Sequence, residues 1–386
     1  MGKKPEAESS ALGCILSGTW TLVSLPFWLG ATGLLVVSTT SASKLFAIAL
    51  ICLLPIPLNF LHWHRTSRKI VTVLLLLTGS IAFFLCARQA TDYADDPEAA
   101  ARVIYENGAR HSLCSPANLV PEIDQSILGS YLLALIDPNL GWGQAAGLRR
   151  NVREIYADLE NDADLAPLPC VLGSSYREMI GLKPRTGILC VYVPKRSGWD
   201  PLEKKTALVF LHGGLGNFQG YWALWKRFAD ATGVAIVAPT FGSGNWSGDG
   251  GLESIEQARE FCVNHPRIDG GKLVLAGIAN GGTGVIHGGL AAPEKWRGLL
   301  FLSPVIEKSV VESNAFANGW GGRKALIITG ERDKHTTADY VRKAVSSMEE
   351  IEMKLETHYL PDRDHFLIYS DWPQLQKLIG EWIKSL

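Results

Sequence analysis

The residues best equipped for chemistry in this chain are an imidazole, a carboxylate and a glycine-rich turn in which a methyl group stands where a hydroxyl is expected. Gly277-Ile278-Ala279-Asn280-Gly281-Gly282 follows the aliphatic run Leu273-Val-Leu-Ala and leads into a helix-compatible segment. In a Gly-x-Ser-x-Gly elbow the middle residue sits on a strained strand-to-helix turn that lifts its side chain into a site. The flanking glycines remove Cβ atoms that would meet the neighbouring strand and helix. The middle residue here is Ala279, which can neither attack a carbonyl nor be activated to do so. Asp333, in Gly330-Glu331-Arg332-Asp333, and His365, in Asp364-His365-Phe366, come later in the chain. A carboxylate that orients an imidazole makes a proton acceptor, and the order nucleophile, acid, base suits a sheet-borne site. His212-Gly213-Gly214-Leu215-Gly216 is a turn able to aim a backbone N–H inward, and the Asn280 N–H is a second donor. Two such amides form an oxyanion hole, and losing one donor typically costs about 10²–10³ in rate.

These residues need a scaffold, and the pattern around them supplies one. Short, largely apolar runs at 206–211, 234–239, 272–276, 298–302 and 324–329 read as strands, and 356–360 as a last, more polar one. Helical stretches lie between them at 221–231, 253–263 and 337–350, and 372–385 closes the chain as an amphipathic helix. Largely apolar strands alternating with helices predict a mostly parallel sheet with helices on both faces. In such a sheet chemistry gathers at the carboxyl ends of strands, where the four motifs above fall. Upstream, 91–165 reads as helical, including 97–107 and 147–159, while 176–180 and 186–193 read as strands. Phe241, Trp246 and Trp320, in Gly/Ser/Asn-rich loops, are candidates to line an acyl or aromatic pocket and equally read as packing aromatics. The loops near 241–252 and 306–322 are expected to shape that pocket and its lid. Asp249 is expected to cap a helix, Trp222 and Trp225 to pack in the core, and His287 and His335 to be exposed without partners.

Over about 175–386 the chain resembles the α/β-hydrolase superfamily, more narrowly its esterase, polyester-depolymerase and prolyl-oligopeptidase-like branches. The resemblance is carried by Leu211-His212-Gly-Gly, Asn264-His265-Pro266-x-Ile268-Asp269, the elbow, Gly330-Glu-Arg-Asp333 and Asp364-His365-Phe366. It implies Asp333 as triad acid, His365 as base, and Gly214 and Asn280 as oxyanion donors. Leu215 is the alternative to Gly214, because the glycine run leaves the register open. The departure is Ala279, at the position where the family has serine.

The N-terminal region is of another kind. Residues 9–43, 45–61 and 70–87 carry no charge apart from their flanks, and three spans are expected at about 11–38, 45–61 and 70–87. Pro55 and Pro57 kink the middle one. Lys3 and Lys4 before the first span, with Arg65, Arg68 and Lys69 between the second and third, predict a cytoplasmic N-terminus and an extracytoplasmic remainder. Glu6 breaks a myristoylation signal. The expected organisation is a membrane anchor over 1–90, a helical extension over 91–170 and an α/β-hydrolase domain over 171–386. The balance of 37 basic against 38 acidic residues gives no nucleic-acid footprint, and no cofactor motif or Cys/His metal spacing occurs.

Three accounts fit Ala279. The chain is an ester hydrolase carrying a Ser→Ala change, a pseudohydrolase that binds a ligand or partner without catalysis, or a His–Asp general base acting without a covalent intermediate, as in lyase or cofactor-free oxygenase members. Deleting a triad nucleophile costs on the order of 10⁶ in kcat. Expected partners are the membrane and a small-molecule or lipidic ester.

Overall fold

The computed structural model describes residues 6–60, 66–195 and 203–386. Lys3, Lys4 and Arg65, on which part of the orientation argument rests, lie outside the described residues, as does Leu61 at the end of the expected middle span. The chain divides into a helical unit, Met1–Thr91 with Ser112–Leu132, and a sheet unit, Asp92–His111 with Leu133–Leu386. Residues 91–170 are therefore shared between the two units and do not form a separate extension.

In the helical unit three segments are long and apolar enough to cross a membrane: Gly13–Val37, Ser41–Asn59 and Thr66–Ala87. The 25-residue first segment reaches about 38 Å at ~1.5 Å per residue, against a hydrocarbon core of about 30 Å. Their outer faces expose Leu22, Leu29, Val36, Leu74 and Phe84, an arrangement that water penalises and hydrocarbon does not. The middle segment breaks between the helices Ser41–Leu53 and Ile56–Phe60, where Pro55 and Pro57 carry no N–H. Trp20 Nε1 donates to the Leu54 carbonyl at 2.8 Å and satisfies a group at that break. Gly79 lets the third segment approach Leu53 so closely that a Cβ would lie 2.8 Å from its side chain.

One buried carboxylate organises one end of this unit. Asp124, fully buried, stands in the first turn of the helix Glu122–Ile136. Its Oδ1 accepts from Thr39 N at 2.7 Å and Thr39 Oγ1 at 3.0 Å; its Oδ2 accepts from Thr40 N at 3.1 Å and Thr40 Oγ1 at 2.6 Å. Thr40 is also the N-cap of Ser41–Leu53. A buried carboxylate is tolerable only when its lone pairs are taken up in this way.

The sheet unit holds eight strands: β1 (Ala101–Tyr105), β2 (Ile188–Tyr192), β3 (Lys205–Leu211), β4 (Ala235–Pro239), β5 (Ile268–Ile278), β6 (Gly298–Leu302), β7 (Lys324–Gly330) and β8 (Lys354–Leu360). Their order is β1-β2-β4-β3-β5-β6-β7-β8. β2 runs antiparallel to both β1 and β4, and the other pairs are parallel. Alternation along β5 sends Val274, Ala276 and Ile278 to one core and Leu273 and Leu275 to the other. The first core also takes Ile155, Trp222, Trp225 and Leu375; the second takes Ile255, Val285 and Val341, so helices cover both faces.

Two local expectations are corrected. The 97–107 stretch contains β1, not a helix; Val103, Ile104 and Tyr105 are β-branched or aromatic and find a partner edge in β2, which outweighs local helix propensity. The 176–180 stretch belongs to the helix Gly173–Met179, whose buried Ser174 and Ser175 bond to the loop after β4. Asp249 is the first residue of the helix Asp249–Asn264, and Gly248 takes the cap position.

Replacing Asp124 by alanine removes four hydrogen bonds to a charged acceptor. We expect a loss of about 2–3 kcal/mol in the helical unit. Hydrogen exchange on the full chain in detergent should show faster exchange at Thr39–Ser43 and unchanged exchange along β3 and β5.

Candidate active site

The elbow forms as the glycine pattern requires. β5 ends at Ile278, two residues intervene before the helix Gly281–Ala291, and the first of them, Ala279, takes φ +48°. That conformation costs a residue with a Cβ on the order of 1–3 kcal/mol and persists only where the surroundings impose it. They do so through Ala279 N to Leu302 O (3.0 Å), Gly282 N to Ala279 O (2.9 Å) and Val305 N to Ala279 O (2.8 Å). A Cβ on Gly281 would lie 2.2 Å from the Leu211 carbonyl oxygen, and one on Gly277 2.4 Å from the backbone of Gly281. Everything that raises a nucleophile is present, and a half-buried methyl occupies its place.

Asp333 and His365 are brought together. His365 Nδ1 lies 2.8 Å from Asp333 Oδ2, and the Asp333 side chain is fully buried. Asp333 Oδ1 accepts from His335 N (2.8 Å) and Thr336 N (2.9 Å). Burial alone would raise the Asp333 carboxyl, but its bond and charge pairing with His365 and the Thr336 bonds hold it below the usual carboxylate range. The contact with Asp333 fixes the orientation of the imidazole ring.

Thr336 links this pair to the elbow. Its Oγ1 stands 2.8 Å from Asp333 Oδ2 and 3.0 Å from the Ser303 carbonyl oxygen. A hydroxyl has one hydrogen and serves only one of these acceptors at a time. Ser303 lies between Leu302, which bonds to Ala279 N, and Val305, which bonds to Ala279 O.

The turn after β3 abuts the elbow. A Cβ on Gly213 would stand 3.3 Å from Ala279 Cβ, and one on Gly214 3.5 Å from Asn280 Nδ2. Leu215 takes φ +75° and is exposed. His212 is a brace: its Nδ1 is 2.8 Å from Gly213 O, and its Nε2 accepts from Phe241 N at 3.2 Å. Burial pushes its pKa down to about 4, so it is neutral at neutral pH.

The three aromatic candidates are corrected. Phe241, Trp246 and Trp320 are buried in the second core, as packing aromatics are. Trp246 Nε1 donates to His212 O at 2.9 Å and Trp320 Nε1 to Gly289 O at 3.0 Å, so both indoles spend their polar edge inside the scaffold. Nor are His287 and His335 without partners. His287 Nε2 is 2.6 Å from Glu307 Oε2, and His335 Nε2 is 2.6 Å from Asp137 Oδ2. Thr336 was legible as Asp333-x-x-Thr336, a spacing that lets a carboxylate bond its own turn. The Asp137–His335 pair was not legible, since it joins residues 198 positions apart. Gln144 Nε2 reaches Asp364 Oδ2 at 3.3 Å from equally far upstream. The expected lid loop after β4 is pinned: Glu178 Oε2 accepts from Ser243 N and Oγ, both at 2.6 Å.

No family model and no curated protein sequence matches the chain. Among solved structures it is similar to the fluorophosphonate-binding serine hydrolase F of Staphylococcus aureus, at 17% identity over 52% of this chain and 94% of that one, with TM-score 0.44. It is also similar to a hyperthermophilic esterase from Pyrobaculum calidifontis, at 16% identity over 60% of this chain and 93% of that one, with TM-score 0.42. Against a protein assigned as dipeptidyl aminopeptidase IV from Bacteroides ovatus, the match covers 51% of this chain but a third of that chain's length (33%), at 14% identity and TM-score 0.42. These likenesses are too distant to carry the assignment, which rests on the chain's own strand order, on a sharp turn after β5 and on the paired Asp333 and His365 in the turns after β7 and β8. By those features the sheet unit has the fold of the α/β-hydrolase superfamily.

Proposed function

We propose that this chain is a membrane-anchored α/β-hydrolase-type protein whose site is built for ester or related acyl chemistry, with the acyl-enzyme route closed by Ala279. The observation that carries the reading is the hydrogen-bonded Asp333–His365 pair, joined through Thr336 and the 302–305 loop to an elbow still held at φ +48°. His365 is read as the base, Asp333 as its orienting acid, and the Asn280 and Gly214 amides (Leu215 as the alternative) as oxyanion donors. The three apolar segments are read as spans, with the N-terminus cytoplasmic and the sheet unit extracytoplasmic, because Arg68 and Lys69 stand in the first turn of the third, at the end that follows the second. Tethering at a bilayer favours small or lipidic esters as ligands. A second reading, general-base chemistry by His365 without a covalent intermediate, is favoured by one detail: Asp333 and its bonds persist although no hydroxyl stands at 279 for the base to activate.

The chain as it stands should neither hydrolyse simple esters measurably nor take up a fluorophosphonate probe. Ala279→Ser should gain labelling, and His365→Ala in that background should abolish it. No labelling of a folded Ala279→Ser variant would overturn the acyl-transfer reading. Proton abstraction seen with Ala279 in place and lost in His365→Ala would establish the second one.

Two further outcomes follow from the acid. In the Ala279→Ser background, Thr336→Val should slow labelling by about tenfold or more, because ~1.4 kcal/mol of lost orientation is a factor of ten. Asp333 also makes stability pH-dependent. Its folded pKa lies below its ordinary value of 3.8, so the stabilisation is complete above that value and disappears as pH falls through the lower folded one. Acid unfolding should therefore steepen below about pH 4, and Asp333→Asn should flatten that limb.

A further inference from the structure

The helix Gly173–Met179 ends by presenting an apolar tip to solvent. Its last turn is closed by Leu182 N donating to Arg177 O and Gly181 N to Glu178 O, both at 2.9 Å, with Gly181 at φ +80°. In a closure of this kind the residue after the glycine commonly folds its apolar side chain back onto the helix. Here Leu182 keeps 46% exposure, and Met179 and Ile180 before it keep 57% and 73%. Single exposed apolar residues are ordinary on a protein surface, whereas a contiguous group marks a surface that meets something other than water.

Cations adjoin this tip. Lys183 and Arg185 follow it directly and are exposed, and among the described residues neither is in an ion pair. Arg185 Nη1 donates instead to the Gly108 carbonyl at 3.0 Å. The carboxylates bonded into this region have other partners: Glu178 accepts from Ser243, and Glu253 accepts from Thr186 Oγ1 at 3.0 Å. Large apolar side chains next to unpaired cations match the boundary of an anionic bilayer, the former entering the acyl layer while the latter meet phosphates. The same chain carries three segments apolar enough to cross a membrane, which makes a bilayer the favoured occupant of this surface.

The tip is rigidly joined to the candidate site. Ser175 Oγ donates to the Gly242 carbonyl at 2.6 Å, and a Cβ on Gly216 would collide with Ser175 and Leu172. Leu215, in the same turn as the Gly214 amide, is itself 40% exposed. We propose that Met179, Ile180 and Leu182, with Lys183 and Arg185, form a docking element for the headgroup region of an anionic lipid bilayer. The proposal rests on the reading of the three apolar segments as spans. It asks nothing of residue 279 or of the side on which the sheet unit lies.

The test uses the full chain with Cys14→Ser and Cys114→Ser, which remove its exposed thiols, and Ile180→Cys carrying an environment-sensitive fluorophore. The chain is placed in nanodiscs of phosphatidylcholine with phosphatidylglycerol, and co-elution with the discs tests the spans. Blue-shifted emission that brominated acyl chains quench is expected at position 180. The same dye at Ser346→Cys, an exposed position on the helix Ala338–Glu350, should show neither effect. Lys183→Glu with Arg185→Glu should lower the docked-to-undocked ratio by about tenfold or more, each cation at an anionic surface being worth roughly a factor of five. If the chain does not enter discs, the span reading falls, and quenching of chain added to vesicles of the same lipids decides the docking by itself. The proposal is overturned if position 180 emits as position 346 does in the presence of these lipids, or if charge reversal leaves the quenching unchanged. It is also overturned if the blue shift appears in detergent and grows with protein concentration, which would make the occupant a second copy of this chain.

Discussion

The constraint on which the rest of the sheet unit depends is the lack of room around the turn after β5. The Leu211 carbonyl, the Gly281 backbone and the start of the helix Gly281–Ala291 converge so tightly that two positions tolerate no Cβ. Residue 279, between them, is forced to a positive φ. The strain is sustained by hydrogen bonds to β6 and to the loop after it, so the turn cannot relax without loosening the central strands. Reactivity and scaffold are thus separable here. The backbone that would present a nucleophile is fixed by packing, whatever side chain it presents.

Those bonds also transmit position. Ala279 is tied to residues 302 and 305, Ser303 between them is tied to Thr336, and Thr336 holds the acid that orients His365. Each link is a short-range contact between the ends of adjacent strands β5, β6 and β7, and β8 leads to His365. The spacing of strands in a parallel sheet therefore sets the geometry of the site more than any one side chain does.

Much of this was legible from residue order. The strands β3 to β7 announce themselves as largely apolar runs, and the motifs that carry Ala279, Asp333 and His365 follow the ends of β5, β7 and β8. What failed did so where tertiary contacts overruled local pattern. Residues 101–105 look helical by composition but become an edge strand because β2 offers them a partner. Tyr176 and its neighbours coil into a helix because Ser174, Ser175 and Glu178 are needed by the loop after β4. Phe241, Trp246 and Trp320 sit in polar loops, yet the loops fold inward and bury them. No periodicity could pair Asp137 with His335, because that contact joins the start of the sheet unit's long helical segment to the turn after β7.

The broken middle segment of the helical unit has a consequence of its own. A proline pair within a helical segment removes two N–H donors and frees carbonyls one turn earlier, and neighbouring helices are one source of donors at such a break. Here the indole of Trp20 reaches across from the first segment and takes the Leu54 carbonyl. The bend is thereby tied to the first segment, so that a shift of one helix would have to carry the other with it.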